Sequence, residues 1–133
     1  MIQAKQGKEI VVVTVNEIGA LAEISKLVAD RGVNILGLCG WVEGQDAVFR
    51  MVTDDNLRAG DALRSKHYSI REKDVVLVEL PHKPGMLRSI IQRLSAENID
   101  IHHIYASATL DMHKSLVALA TANNDRAVVL LNG

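Results

Sequence analysis

The chain has 133 residues, of which 48% are apolar and only 3% aromatic, so it can build an aliphatic core in one ordinary domain or two very small ones. Its net charge is −1, so no long-range positive field attracts nucleic acid or an acidic membrane surface. The single cysteine excludes an intrachain disulfide and a cysteine-rich zinc site. The N-terminus is polar and no apolar run approaches the roughly 20 residues that span a bilayer, so we expect a cytoplasmic protein.

The first predicted strand covers residues 9–15, which are rich in β-branched side chains, and it runs into a tight turn that ends at Gly19. An amphipathic helix follows, because apolar residues recur at helical spacing while the charged ones lie mostly on the opposite side. Gly32 ends this helix, since glycine takes the left-handed conformation after a helix without a steric penalty. The apolar stripe consists of Leu21, Ile24, Leu27 and Val28.

Two strands joined by a hairpin come next, and a polar cluster after the second strand is suited to cap another helix. A short fourth strand then leads almost directly into the second half of the chain. In chain order these elements are the strand 33–42, the hairpin 43–45, the strand 47–53, the polar cluster 54–56, the helix 57–66 and the strand 68–72.

The second half of the chain repeats this order, with Gly85 at 66 residues beyond Gly19. Few positions are identical, but the hydrophobic pattern changes its period at the same places in both copies. Asn98 takes the place of Gly32, and asparagine is the next-best residue for the left-handed conformation. The second hairpin carries about two extra residues, so the positions after it correspond at a spacing of 68.

The elements predicted for the second copy end with a helix, and no strand follows it. They are the strand 75–80, the turn 81–85, the helical stripe of Leu87, Ile90, Ile91 and Leu94, the strand 99–110, the hairpin 110–112, the strand 115–121, the polar cluster 123–125 and the helix 126–131.

The order of strand, helix, two strands, helix and strand predicts an antiparallel sheet with both helices on one face, which is the ferredoxin-like arrangement. We therefore predict an α+β protein of two βαββαβ repeats, residues 1–73 and residues 74–133, the second lacking its last strand. Each repeat alone would bury little of its surface. The sheet edge left open by the missing strand favours pairing with another chain, so we expect a homodimer.

Several activities occur on ferredoxin-like folds, and each needs particular residues. An RNA-recognition module needs clustered aromatic residues on its strands, whereas the few aromatic residues here are scattered. A soft-metal chaperone needs paired cysteines, and Cys39 stands alone within a predicted strand. A phosphate-handling enzyme needs a basic residue beside a glycine-rich loop, and only Lys83 in the second turn could serve. None of these classes is favoured.

Both strand-turn-helix units resemble the ACT domain, a small-molecule sensing module that commonly binds amino acids and regulates amino-acid metabolism. The Lys83-Pro84-Gly85 turn is the more specific match, whereas the first copy has Ile18 in place of the proline. The chain is similar to tandem ACT proteins that have no attached catalytic domain. The resemblance rests on the turns 16–21 and 82–87 and on the helix-to-strand junctions 32–35 and 98–101.

The physical chemistry of the turn agrees with what the resemblance implies. The carboxylate of a free amino acid suits the unpaired N–H groups at a helix N-terminus, and glycine lets the backbone approach it closely. The resemblance further implies ligand contacts by Asn16 and Asn34 in the first copy, where the second copy has His82 and Asp100. We therefore expect two non-equivalent sites. The predicted ligand-binding residues are Asn16, Glu17, Ile18, Gly19, Ala20, Leu21, Asn34, His82, Lys83, Pro84, Gly85, Met86, Leu87 and Asp100.

Plainer structural interpretations exist for several of these residues, since Asn16 suits a turn or helix cap and Asn34 a polar strand position. His102 and His103 are strand neighbours that face opposite sides, so no metal site is predicted. No combination of nucleophile, base and orienting group is visible, so we expect neither catalysis nor a cofactor.

The leading hypothesis is therefore a non-catalytic regulatory module that binds an amino-acid effector at an interface between ACT units. Its expected partners are a second copy of the chain and a regulated enzyme. The alternative is a module that binds no ligand and uses its sheet edges or helix faces to join an enzyme or itself.

Overall fold

The computed structural model describes residues 2–108 and 113–133, and the chain divides into two units. One unit consists of residues 8–73, and the other of residues 74–133 together with residues 2–7. The predicted hairpin 110–112 falls on or beside the gap in the described residues, 109–112. In chain order the elements are β1 (Gln3–Val15), α1 (Ala20–Asp30), β2 (Ile35–Glu43), β3 (Asp46–Thr53), α2 (Asn56–Arg64), β4 (Ile70–Pro81), α3 (Met86–Ala96), β5 (Ile101–Ala108), β6 (Lys114–Thr121) and α4 (Asn124–Asn132).

In the unit of residues 8–73 the strands are ordered β2-β3-β1, and both neighbouring pairs are antiparallel. Helices α1 and α2 cover one face, because their apolar residues share a single core with strand residues of that face. Tyr68 and Ile70 contact this core at the place predicted for the fourth strand of the first repeat. The core residues are Ile10, Val12, Ile24, Val28, Val33, Ala47, Phe49, Met51, Ala59 and Leu63.

In the other unit the strands β4-β6-β5 are again antiparallel, and α3 and α4 share a core with them. The α+β class and the two ferredoxin-like repeats predicted from the sequence are thus confirmed. No helix in the described part of the chain is long and apolar enough to cross a membrane. The core of this unit consists of Ala4, Val76, Val78, Leu80, Ile90, Leu94, Ile99, Val117, Leu119, Ala127 and Leu131.

The N-terminal segment, residues 2–7, lies in the second unit, although the sequence analysis placed it in the first repeat. Ala4 is buried in the second core, and Asn132 binds it twice at 2.8 Å: the Ala4 N–H donates to Oδ1, and Nδ2 donates to the Ala4 carbonyl. Gly7 lies so close to Leu77 that a Cβ there would come within 2.5 Å of the leucine side chain. The N-terminal segment lies beside β4, in the place of the strand that the sequence analysis found missing from the second repeat.

The N-terminal segment also covers the sheet edge at which a dimer was expected. The expected homodimer rested on an open edge at the missing strand, and residues 3–7 cover that edge. The two strands predicted at 68–72 and 75–80 are one continuous strand, β4, because no glycine or proline interrupts them. A dimer therefore needs a different surface from the one inferred from the sequence.

Both of the predicted helix stops are confirmed. Gly32 and Asn98 have φ angles of 72° and 57°, in the left-handed region. After α1 the N–H of Val33 donates to the Val28 carbonyl at 3.3 Å, and after α3 the N–H of Ile99 donates to the Leu94 carbonyl at 3.0 Å. These are the bonds of the Schellman motif, so the two repeats end their first helices in the same way.

The second helix of each repeat begins at the same kind of cap. In α2 the Asp55 carboxylate accepts from the Arg58 N–H at 3.1 Å, and in α4 the Asn123 side chain accepts from the Arg126 N–H at 3.1 Å. A threonine two residues earlier, Thr53 or Thr121, accepts from the N–H of the capping residue. The capping role predicted for both polar clusters is confirmed.

We expect Asp55→Ala and Asn123→Ala each to lower the free energy of unfolding by about 1 kcal/mol, because each removes a side-chain acceptor for a helix N–H group. Urea denaturation followed by circular dichroism measures this loss. Asp61→Ala is the matched control, since Asp61 is an exposed acid of α2 whose ion pair with Arg64 is 3.9 Å long. If Asp61→Ala destabilises the protein as much as Asp55→Ala, the cap is not the source of the loss.

One buried ion pair lies within residues 8–73. Glu9 is fully buried, and the Arg50 guanidinium donates to its carboxylate at 2.6 Å. The same guanidinium lies 5.7 Å from the ring centre of Trp41, within range of a cation–π contact. Arg50 Nε is buried without a hydrogen-bond partner, so the stability of this arginine rests on Glu9 and Trp41.

Candidate functional site

A cavity of about 440 Å³ lies in the second unit, where the turn between β4 and α3 meets β5 and β6. This volume is within the roughly 300–1,000 Å³ typical of small-molecule sites. All six turn residues predicted in this repeat, residues 82–87, line the cavity. The remaining lining residues are Leu80, Pro81, Ala106, Ser107, Ser115 and Val117.

The turn opens directly into α3. Gly85 has a φ of 88°, a conformation that disfavours residues with a side chain, and it precedes the first residue of the helix. No side chain caps α3, in contrast to α4, which Asn123 caps. The N–H groups of the first turn of α3 are therefore not satisfied by a side-chain cap, and they lie beside the cavity-lining turn.

The charges around this turn favour an anion. Lys83 in the turn and Arg88 in the first turn of α3 are both exposed cations, and no acidic residue lies in that first turn. The N–H of His82 donates to the carbonyl of His113 at 2.8 Å, which fixes the start of the turn against the start of β6. The positive side chains and the positive end of the helix dipole thus both attract an anion to this turn.

The corresponding turn of the first repeat, residues 16–21, lies at the surface. Gly19 has a φ of 92° and again precedes an uncapped helix. The N–H of Asn16 donates to the Gln45 carbonyl at 2.8 Å, and the N–H of Ala20 donates to the Glu17 carbonyl at 3.2 Å. Ile18 is fully exposed at the tip of the turn. The backbone of the two turns is alike, but their side chains are not.

The first-repeat turn has acidic surroundings. Glu23 lies in the first turn of α1, and its carboxylate accepts from the Tyr68 hydroxyl at 2.6 Å. This hydrogen bond raises the pKa of Tyr68 to about 12, with burial and the negative charges of Glu23 and Glu17 adding to the effect. A carboxylate ligand would meet repulsion here that it does not meet at Lys83.

The two other predicted residues, Asn34 and Asp100, stand at the start of the second strands. Asn34 is exposed; its N–H donates to the Asp54 carboxylate at 2.9 Å, and its carbonyl accepts from the Asp54 N–H. The carbonyl of Asp100 accepts from the Ala122 N–H at 2.9 Å, and its carboxylate lies 3.8 Å from His102 Nε2. Asp100 is not among the residues that line the cavity.

The strand walls of the cavity were missed by the sequence analysis. Ala106, Ser115 and Val117 are far from the turn in sequence, and together with Leu80, which lies beside the turn, they belong to three strands. The aligned residues of the first repeat are Gly40 and Phe49, so the replacement of phenylalanine by the smaller Val117 is the one local signal that the duplication gives for this wall.

Comparison with known proteins places the fold and the family. Protein BT0572 from Bacteroides thetaiotaomicron has a TM-score of 0.86 at 26% identity, over 97% of this chain and 88% of that one. The ligand-free regulatory subunit of aspartate kinase from Thermus thermophilus has a TM-score of 0.69 at 14% identity, over 99% and 95%. A structure of aspartokinase alpha and beta subunits has a TM-score of 0.67 at 21% identity, over 98% and 94%. The last two likenesses show a shared fold.

No curated protein sequence matches the chain. A family model described as an ACT domain pair matches residues 6–133, which include both turns and the cavity. The similarity predicted from the turns and helix ends is therefore confirmed for both repeats. The chain belongs to the ACT domain pair family.

Proposed function

We propose that the chain is a non-catalytic regulatory module that binds a free amino acid at the cavity of its second repeat. The observation that carries this proposal is the cavity itself. In it the start of α3, which follows Gly85, meets strand walls that are mostly apolar. A small ligand with one charged end and one apolar end fits this combination.

In the proposed complex the carboxylate of the amino acid lies against the first turn of α3, where N–H groups and the charges of Lys83 and Arg88 stabilise it. The hydroxyl of Ser115, in the cavity wall, is an acceptor for the ammonium group. The side chain of the ligand then points towards Leu80 and Val117. The first-repeat turn, with Asn16 and Asn34, remains a predicted second site of different chemistry.

A regulatory role is supported by the parallel with the similar structures, two of which are subunits of aspartate kinase or aspartokinase. We propose a regulated enzyme as the partner of this chain and the cytoplasm as its compartment. We also propose that it is a homodimer in which an ACT unit of a second copy covers the exposed side of the 82–87 turn. The cavity would then lie at an ACT–ACT interface.

We expect at least one of the standard amino acids to raise the melting temperature. A ligand at 100 times its dissociation constant adds about 2.7 kcal/mol to stability, which is a shift of several degrees for a protein of this size. Lys83→Glu should weaken binding of that amino acid at least about tenfold, or 1.4 kcal/mol, because it places a negative charge beside the carboxylate.

Lys66→Glu is the matched control, since Lys66 is an exposed lysine far from the turn in sequence and should leave the affinity unchanged. The amide of the same amino acid, which lacks the carboxylate, should bind weakly. If no amino acid shifts the melting temperature of protein shown to be folded by circular dichroism, the proposal is wrong.

The second candidate function is a module that binds no ligand and docks on a protein. It is favoured by the fully exposed Ile18, which lies between the exposed residues Val15 and Leu21 at the first-repeat turn. Sedimentation together with the amino-acid panel separates the two candidates. The second predicts an association that Ile18→Ser abolishes and no change of melting temperature with any amino acid.

A further inference from the structure

The two repeats differ at one pair of aligned strand positions, of which one is buried and the other exposed. In the second repeat Ala106 of β5 is paired with Val117 of β6. In the first repeat Gly40 of β2 is paired with Phe49 of β3 at the corresponding positions. The repeat spacing and the strand register thus identify the same two positions independently.

In the first repeat the phenylalanine ring occupies the space over the glycine. A Cβ at Gly40 would lie 2.7 Å from Cδ1 and 3.0 Å from Cε1 of Phe49, closer than real side chains allow. Phe49 is only 8% exposed and belongs to the first core. The ring therefore needs a glycine opposite it, and together they fill this region.

In the second repeat the same region is open. Val117 is smaller than phenylalanine and lines the cavity together with Ala106, which is exposed. The deeper wall also includes Leu80 and Met86. Among the described lining residues only His82 and Lys83 are ionisable, and both are exposed in the turn. Apart from the hydroxyls of Ser107 and Ser115, the described strand wall is apolar, and the charges lie in the turn.

We infer that the second-repeat cavity selects an amino acid with an aliphatic side chain, and that Phe49 closes the equivalent position of the first repeat to such a side chain. This inference rests on the proposed function and adds the class of the ligand side chain. An aliphatic group gains about 25 cal/mol for each Å² buried on such a wall, whereas a charged side chain would lose its hydration there without a partner.

The test transplants the first-repeat pair into the second repeat. Ala106→Gly/Val117→Phe should weaken binding of L-leucine, L-isoleucine and L-valine in calorimetry, because the new ring covers the part of the cavity wall that the ligand side chain would contact, and the new glycine makes room for the ring. The matched control, Gly40→Ala/Phe49→Val, makes the reverse change in the first repeat and should keep the wild-type affinity for these ligands. Ala106→Leu, a change at an exposed position, should also weaken L-leucine binding.

The wild-type protein gives a comparison that depends on no variant. L-leucine, L-isoleucine or L-valine should bind more tightly than L-lysine and L-aspartate. Tighter binding of a charged amino acid, or unchanged L-leucine affinity in folded Ala106→Gly/Val117→Phe, overturns the inference and leaves the proposed function standing. If the wild-type chain binds no amino acid, the proposed function fails and the inference fails with it.

Discussion

Arg50→Met is expected to destabilise the protein by up to roughly 3–5 kcal/mol, because the buried Glu9 carboxylate loses its ion pair with the arginine. Glu9 is fully buried and accepts from Arg50 at 2.6 Å. Methionine is long enough to fill the space but carries no donor, so the carboxylate loses this charged hydrogen bond. The contact of the guanidinium with Trp41, worth about 0.5–1 kcal/mol, is lost as well.

Urea denaturation at neutral pH measures the loss of unfolding free energy, and two further variants show whether it comes from the buried charge. Arg58→Met removes an exposed arginine that lies 3.7 Å from Asp55, and it should cost less than about 1 kcal/mol. The double variant Glu9→Leu/Arg50→Met removes both charges and should recover much of the stability lost by Arg50→Met. Equal losses for Arg50→Met and Arg58→Met would show that the burial of Glu9 does not determine the stability of this region.

Removal of the N-terminal segment, residues 2–7, is expected to destabilise the second unit by about 3 kcal/mol or more. The two hydrogen bonds between Ala4 and Asn132 contribute about 1 kcal/mol each. Ile2 packs against the second core, and burial of a large aliphatic side chain contributes up to roughly 1.5–3 kcal/mol. The shortened chain also leaves an edge of β4 uncovered, which favours aggregation.

Amide hydrogen exchange shows whether removal of residues 2–7 destabilises only the second unit or the whole chain. Protection should fall in β6 and α4 of the second unit and be largely kept in β3 and α2 of the first. The double variant Gln3→Ala/Lys5→Ala is the control, because both side chains are exposed and the backbone of the segment is kept. An equal loss of protection in the two units would contradict the assignment of this segment to the second.

The features predicted from the sequence are those with local causes. Gly32 and Asn98 end helices through their own backbone conformation, and Asp55 and Asn123 cap helices that begin one residue later. Each signal lies within a few residues of the structure that it specifies, and each occurs once in each repeat. The order of elements and the ferredoxin-like class follow from these signals.

The features that the sequence analysis did not predict depend on residues far apart in the chain. Ala4 and Asn132 are 128 positions apart, and nothing in the polar sequence around Ala4 indicates that it packs with the second repeat. Glu9 and Arg50 are 41 positions apart, and each alone has the pattern of an ordinary charged residue. The cavity walls come from three strands, so only the turn at their entrance had a local signature.

The N-terminal segment also bears on how the chain is made. Residues 2–7 are made before the rest of the second unit, whereas Asn132, which binds Ala4, is added 128 positions after it. Residues 8–73 can assemble into a complete unit while synthesis continues, because all the strands and helices of that unit are already present. The second unit can close only after Asn132 has left the ribosome, so residues 2–7 lack their partner residues while the first unit is made.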